Sequence, residues 1–155
     1  MVKRPERIIL AVVAGLTFAW ATLAPAADFK PFPGARLDKA ATRDARRAAA
    51  QSPLPPSRLV PAIYLAKAPF EKVAAFYRHL AREYKMPGRR GPRTLPGGRK
   101  LKEAYFIFDG AKDLITSRRW VKVQRPFIGG AKMVGHTIQF QDIRDVTVII
   151  YSAGK

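Results

Sequence analysis

Hydrophobic and polar positions change period several times along the chain, and each change predicts an element. Ile8 to Leu23 is apolar and without charge. Arg58 to Ala66 ("RLVPAIYLA") has the short, β-branched character of a strand. Its Pro61 removes one ladder donor, so the strand lies at a sheet margin or begins after the proline. From Ala68 the period lengthens. Phe70, Val73, Ala74, Tyr77, Leu80, Ala81 and Tyr84 recur at i, i+3, i+4 and i+7, and Phe76 widens the stripe into the face of a long helix. Pro69 suits its first turn and Pro87-Gly88 ends it. Leu101 to Asp109 ("LKEAYFIFD") is apolar on both faces in its middle, as a central strand would be. Trp120 to Phe127 continues in strand character. His136 to Ile143 and Val146 to Ser152 are two β-prone runs joined at Arg144-Asp145, which predicts a closing hairpin.

One long helix followed by strands without helices between them predicts an α+β fold. The expected architecture is an antiparallel sheet of about four to five strands, with one long amphipathic helix packed across one face. Ahead of it, Ala27 to Leu37 is extended around a Pro33-Gly34 turn, and Asp38 to Gln51 ("DKAATRDARRAAAQ") predicts a short helix capped by Asp38. Its apolar face is nothing wider than alanine, so alone it would be marginal in water. Ser52 to Pro56 forces polyproline-like backbone and ends it. Residues 27–57 thus form an extended lead-in, an Ala/Arg-rich segment and a Pro-rich linker, followed by a single α+β domain at 58–155.

The N-terminus predicts a destination. A basic head with Lys3, Arg4 and Arg7 precedes the apolar run, and Ala24-Pro25-Ala26-Ala27 follows it. That order describes a secretory signal peptide over residues 1–26, with cleavage expected between Ala26 and Ala27. An uncleaved anchor is the alternative, since a membrane span needs ~17–25 apolar residues. The localisation expected is periplasmic or secreted, with no transmembrane span after signal removal. The chain has no cysteine, which removes disulfides and thiolate chemistry, so the fold must rest on packing.

Charge changes the picture most. The chain holds 29 Lys and Arg against 11 Asp and Glu, a formal charge of +18. Signal removal takes Lys3, Arg4, Arg7 and Glu6 and leaves +16. A field of that sign favours polyanions or acidic partners. Residues 78–132 carry fifteen cations and four acids. Within them, "GRRGPRTLPGGRKLK" (residues 88–102) and "SRRWVKVQR" (residues 117–125) place the candidate anion-binding residues: Arg89, Arg90, Arg93, Arg99, Lys100, Lys102, Arg118, Arg119, Lys122 and Arg125.

"FPGA" at Phe32–Ala35, the aromatic strand at Ile63-Tyr64 and "APFEKVAAFYR" at Ala68–Arg78 resemble a loose group of small exported bacterial proteins of unknown function. That group joins a (Tyr/Phe)-Pro-Gly-Ala turn to a strand, a helix reading "V..FY" and a terminal strand pair. The resemblance implies export and a small α+β fold, and it names no substrate. The Ala/Arg-rich insert and the basic loop depart from it.

Catalytic signatures are sparse. No G-x-S-x-G, H-E-x-x-H or P-loop spacing occurs. His79 and Glu83 form an i, i+4 pair on the predicted helix, short of the three protein ligands a zinc site needs. Asp109, Asp113 and His136 are the candidates for an enzyme site. The composition therefore predicts no metal, no cofactor and, more readily than an enzyme, a non-enzymatic exported binding module. Its expected partners are an anionic envelope polymer, anionic lipid headgroups or an acidic protein. The alternatives are an extracellular nucleic-acid-binding protein, which lacks a recognisable module, and a small periplasmic enzyme with an unrecognised site.

Overall fold

Residues 28–51 and 59–154 are described by the computed structural model. The predicted signal at 1–26 and the Pro-rich linker lie outside the described residues. In chain order the elements are β1 (Arg36–Leu37), α1 (Lys39–Gln51), β2 (Leu59–Ala66), α2 (Phe70–Arg78), β3 (Arg82–Tyr84), β4 (Arg93–Thr94), β5 (Lys100–Ile107), β6 (Arg119–Arg125), β7 (Phe127–Val134), β8 (Thr137–Arg144) and β9 (Thr147–Gly154). Seven strands form one antiparallel sheet in the order β1-β2-β9-β6-β5-β3, with β4 also on β5, and β7-β8 form a separate two-stranded ribbon. None of the described helices is long and apolar enough to cross a membrane.

The expected α+β class is overturned. Among the described residues strand accounts for 45% and helix for 18%, so the fold there is mostly β, with two short helices and no long one laid across the sheet. The predicted long helix stops after nine residues at Arg78. Leu80 and Ala81 turn back, each donating its N–H to the Tyr77 carbonyl (3.1 and 2.9 Å). Arg82–Tyr84 then pairs with Tyr105–Ile107. The sheet edge decides this: a helix continued to Lys85 would leave the aromatic end of β5 with unpaired backbone groups. It would also stack Arg78 and Arg82 one turn apart. The His79–Glu83 helical pair therefore does not exist. His79 caps α2, and Glu83 in β3 accepts from Arg78 (2.7 Å) and Lys85 (2.6 Å).

The closing hairpin is also replaced. β8 pairs back onto β7 across Gly135, while β9 inserts between β2 and β6. "VTVIIYS" is apolar on both faces, as a strand buried from both sides must be, whereas Thr137–Arg144 is polar enough to remain on a ribbon.

On one face, Val73, Ala74 and Tyr77 of α2 are buried against Ala104, Phe106, Val121, Val123 and Ile149. The lead-in joins them. Phe29 stacks on Tyr151 with ring centroids 4.0 Å apart, and the Tyr77 hydroxyl donates to the Lys30 carbonyl (3.1 Å). Each large apolar side chain so buried contributes about 1.5–3 kcal/mol.

The second face is covered by α1. Its Ala41 and Ala45 pack on Ile63, Val148 and Ile150, and the Ala41 N–H donates to the Asp38 carboxylate (2.9 Å), the N-cap bond that starts the helix. Polar side chains of α1 also occupy the open edge of β2. Ile63 donates its N–H to the Thr42 hydroxyl oxygen (2.9 Å), and Arg46 donates Nε–H to the Pro61 carbonyl (3.0 Å). An Ala/Arg-rich sequence can therefore be a stable helix here: it blocks an edge that would otherwise recruit another strand.

Thr42→Val keeps the shape and orphans the buried Ile63 N–H. Urea unfolding should show a loss of about 1–3 kcal/mol, and a change below a few tenths would show that the edge contact contributes nothing.

A candidate anion-binding cluster beside a cleft

The basic segment is folded against the sheet. Pro96-Gly97 makes a type II turn in which the Gly98 N–H donates to the Leu95 carbonyl (3.0 Å), and Gly97 takes φ of +84°, which a side chain would resist. Leu95 is buried, and its N–H donates to the Arg99 carbonyl (2.8 Å). The turn returns β4 along β5 and brings Arg93 over the sheet.

β5 supplies the centre of the cluster. Glu103 lies in register with Gln124, Val148 and Leu65 across four strands, facing the α1 side of the sheet. Its side chain is 7% exposed and meets three cations: Lys122 Nζ at 2.7 Å, Arg93 at 3.3 Å, and Arg89 in a close ion pair. Lys122 reaches it diagonally from β6, two residues from the Gln124 opposite, a separation long side chains bridge. The buried ring of Tyr105 lies beneath, with Arg89 and Lys122 each within 6 Å of its centroid (5.9 and 5.7 Å). Arg89 also donates to the Tyr105 hydroxyl (3.2 Å). Burial alone would raise the Glu103 carboxyl. The Lys122 hydrogen bond and the charges of Lys122, Arg93 and Arg89 outweigh it and hold the group below the usual carboxylate range. One carboxylate thus faces three cations, a local excess of two positive charges.

Nine of the ten candidate residues divide among three places, and Arg90 belongs to none of them. Arg89, Arg93 and Lys122 converge on Glu103. Lys102 pairs with Glu71, and Arg125 with Asp145 (3.0 Å). Arg125 also donates to the Ala68 carbonyl (3.1 Å) and the Thr147 hydroxyl (3.2 Å), which makes it a bracket between elements. Arg99, Lys100, Lys102 and Arg125 border one small cleft at this end of β5 and β6, and Lys100 donates to the Thr94 hydroxyl (2.8 Å). Arg118 and Arg119 sit at the opposite end of β6, about 20 Å away at ~3.3 Å per residue. Arg119 reaches Asp28 (3.4 Å). Arg90 and Arg118 have no ion pair among the described residues. The two basic segments therefore meet through Lys122 and Arg125, while Arg118 and Arg119 remain separate.

Glu103 and Tyr105 were missed as functional candidates. Their signal was legible: a lone glutamate inside a strand apolar on both faces must be paired or costly.

Beside the cluster, a cleft of about 610 Å³ runs between α1, the sheet and the base of the β7-β8 ribbon. Ile63, Val148 and Ile150 form its floor, Ala41, Ala45 and Ala48 one wall, and Phe127, Ile128 and Phe140 the other, with Arg93 and Lys122 at one end. At the far rim, Arg144 lies 4.1 Å over the Phe127 ring and pairs with Asp142 (3.3 Å) and Asp38 (3.6 Å). Gly129 makes this possible, because a Cβ there would stand 2.5 Å from the Asp142 carboxylate.

The candidate enzyme residues do not assemble. Asp109 accepts the N–H groups of Arg118 and Arg119 and the Ser117 hydroxyl (2.9 Å), and so fixes the β5–β6 turn. Asp113 accepts from Thr116 (2.8 Å). His136 lies at the far turn of the β7-β8 ribbon. Among the described residues no three of His, Asp and Glu are grouped to hold a metal. No protein-family model, curated protein or solved structure matches the chain.

Glu83, Glu103 and Asp109 are all held below their ordinary values. A carboxyl depressed in the folded state stabilises above its unfolded pKa, and that stability is lost as pH falls through the folded value. The melting temperature should therefore fall progressively below about pH 4. Glu103→Gln should lower stability at pH 7 by about 2 kcal/mol, because it leaves three cations unbalanced, and should flatten the acid limb. An unchanged acid limb in that variant would refute the assignment.

Proposed function

We propose that this protein is an exported, non-enzymatic binding module for anionic components of the cell envelope, with Arg89, Arg93 and Lys122 as its anion site. The observation that carries the reading is the imbalance at Glu103. Three cations share one buried carboxylate, and Lys122, with a side chain 20% exposed, has lost much of its hydration. An incoming phosphate dianion would restore neutrality, and a carboxylate would halve the excess. Arginine supplies a planar pair of donors to such a group and lysine a point charge. The formal charge, +18 for the full chain and +16 after signal removal, adds long-range attraction to any polyanionic surface. The export part of the reading is supported by the basic head, apolar run and small-residue site of the first 27 residues.

The test separates a site from general charge. Inorganic pyrophosphate and lipopolysaccharide are titrated into the purified protein by calorimetry over a range of salt. Binding should weaken steeply with salt. Arg93→Ala should weaken it about tenfold, as loss of one charge-assisted contact would. The paired control Arg90→Ala with Arg118→Ala should change it less than twofold. Equal losses in the two variants would reduce the effect to net charge and refute the site.

A further inference from the structure

The anion site opens onto a cleft whose chemistry is not anionic. Lys122, Ile150 and Ile63 lie in register on β6, β9 and β2. The apolar floor therefore begins one strand from the ammonium and runs about 10 Å at ~4.8 Å per strand. Above it, α1 presents Ala41 and Ala45, where the opposite face of the sheet is filled by Phe29, Val73 and Tyr77. Methyl groups in place of rings leave the volume of about 610 Å³ open, within the ~300–1,000 Å³ usual for a small-molecule site. At the far rim Arg144 is shared by Asp38 and Asp142, and Asp44 pairs with Arg43 at 3.8 Å, so that end keeps one negative charge in excess. The positive excess of the cleft is confined to the end at Arg93 and Lys122.

We propose that the ligand is a single-chain amphiphile whose anionic head, a carboxylate or a phosphate, sits at Arg93 and Lys122 while its hydrocarbon chain lies between α1 and the sheet. The inference rests on the anion-binding reading of the Glu103 cluster and specifies what that anion carries. A purely polar anion would leave the floor wet. A neutral lipid would leave the two cations unmatched. A second copy of this chain is disfavoured as the occupant, because both copies carry a formal charge of +18.

The test is a chain-length series. Acetate, hexanoate, octanoate and decanoate, with decyl phosphate as the second head and inorganic phosphate as the head alone, are titrated into the purified protein below their micelle concentrations. Binding should tighten about fourfold per added methylene until the cleft is full. The better of the two decyl ligands identifies the head. Ala45→Phe, and the milder Ala48→Phe one turn further along the same wall, should flatten the series and leave inorganic phosphate binding unchanged. Arg93→Ala should weaken every member by the same factor. A flat series in the unsubstituted protein, with inorganic phosphate still bound, would overturn the amphiphile and leave the anion site standing. Met133 and Ile138 are exposed apolar residues paired across the ribbon near its turn; a length dependence that survives both α1 variants and disappears in Met133→Ser with Ile138→Ser would place the chain there and overturn it too. No binding by any member would overturn both readings.

Discussion

β9 is apolar on both faces and sits in the middle of the sheet, so it must be covered twice. Much of the remaining structure follows from that requirement. On one side the cover is aromatic: α2 and the lead-in bring Phe29, Phe32, Phe76 and Tyr77 together in stacked and edge contacts. That side is filled. The other side is covered by a helix of small and charged residues, which buries most of Ile63 and Val148 but cannot fill the space above them and Ile150. Volume is left over where the cover is thinnest, beside the strands that carry Glu103 and Lys122.

The electrostatics follow from the same geometry. Strand alternation puts Glu103, Tyr105 and Ile107 on the α1 side of β5, and a glutamate facing inward there must be neutralised or lose its charge. The basic turn at residues 88–99 supplies Arg89 and Arg93, and β6 supplies Lys122. Few of these cations serve solubility alone. Six of the ten candidate residues are in ion pairs with acids, and Arg125 and Arg46 also satisfy backbone carbonyls. High net charge and specific structural use of arginine coexist because the acids are few, and Glu83 and Glu103 each pair with more than one cation.

Strands were more legible than their partners. The runs at 58–66, 101–109 and 120–127 are recognisable because β-branched and aromatic residues cluster there, and so is the Asp38-capped helix. The extent of the second helix was not legible. Phe70 to Tyr84 keeps helical spacing throughout, but Tyr84 is also a good strand residue, and an unpaired sheet edge far away in sequence decides between them. The β8–β9 hairpin failed for a related reason: a short connection predicts pairing, yet β9 gains more by joining two strands than one. For the site, the cationic segments were visible, and the lone Glu103 in an apolar strand marked a buried acid in need of partners; which cations reach it was not legible, because Arg89, Arg93 and Lys122 come from separate segments.

The position of β9 has a consequence for when this protein can exist as a folded object. β2 and β6 never touch as strands; each pairs with β9. Until Thr147–Gly154 is available, the chain therefore consists of two sheet fragments with open apolar edges, joined by nothing stronger than their helices. Closure depends on contacts spanning some eighty residues, such as the Thr147 hydroxyl donating to the Ala68 carbonyl (2.6 Å), and contacts of that range form slowly. This topology postpones closure of the sheet until β9 has been made, so β9 sets when the fold completes as well as forming its centre.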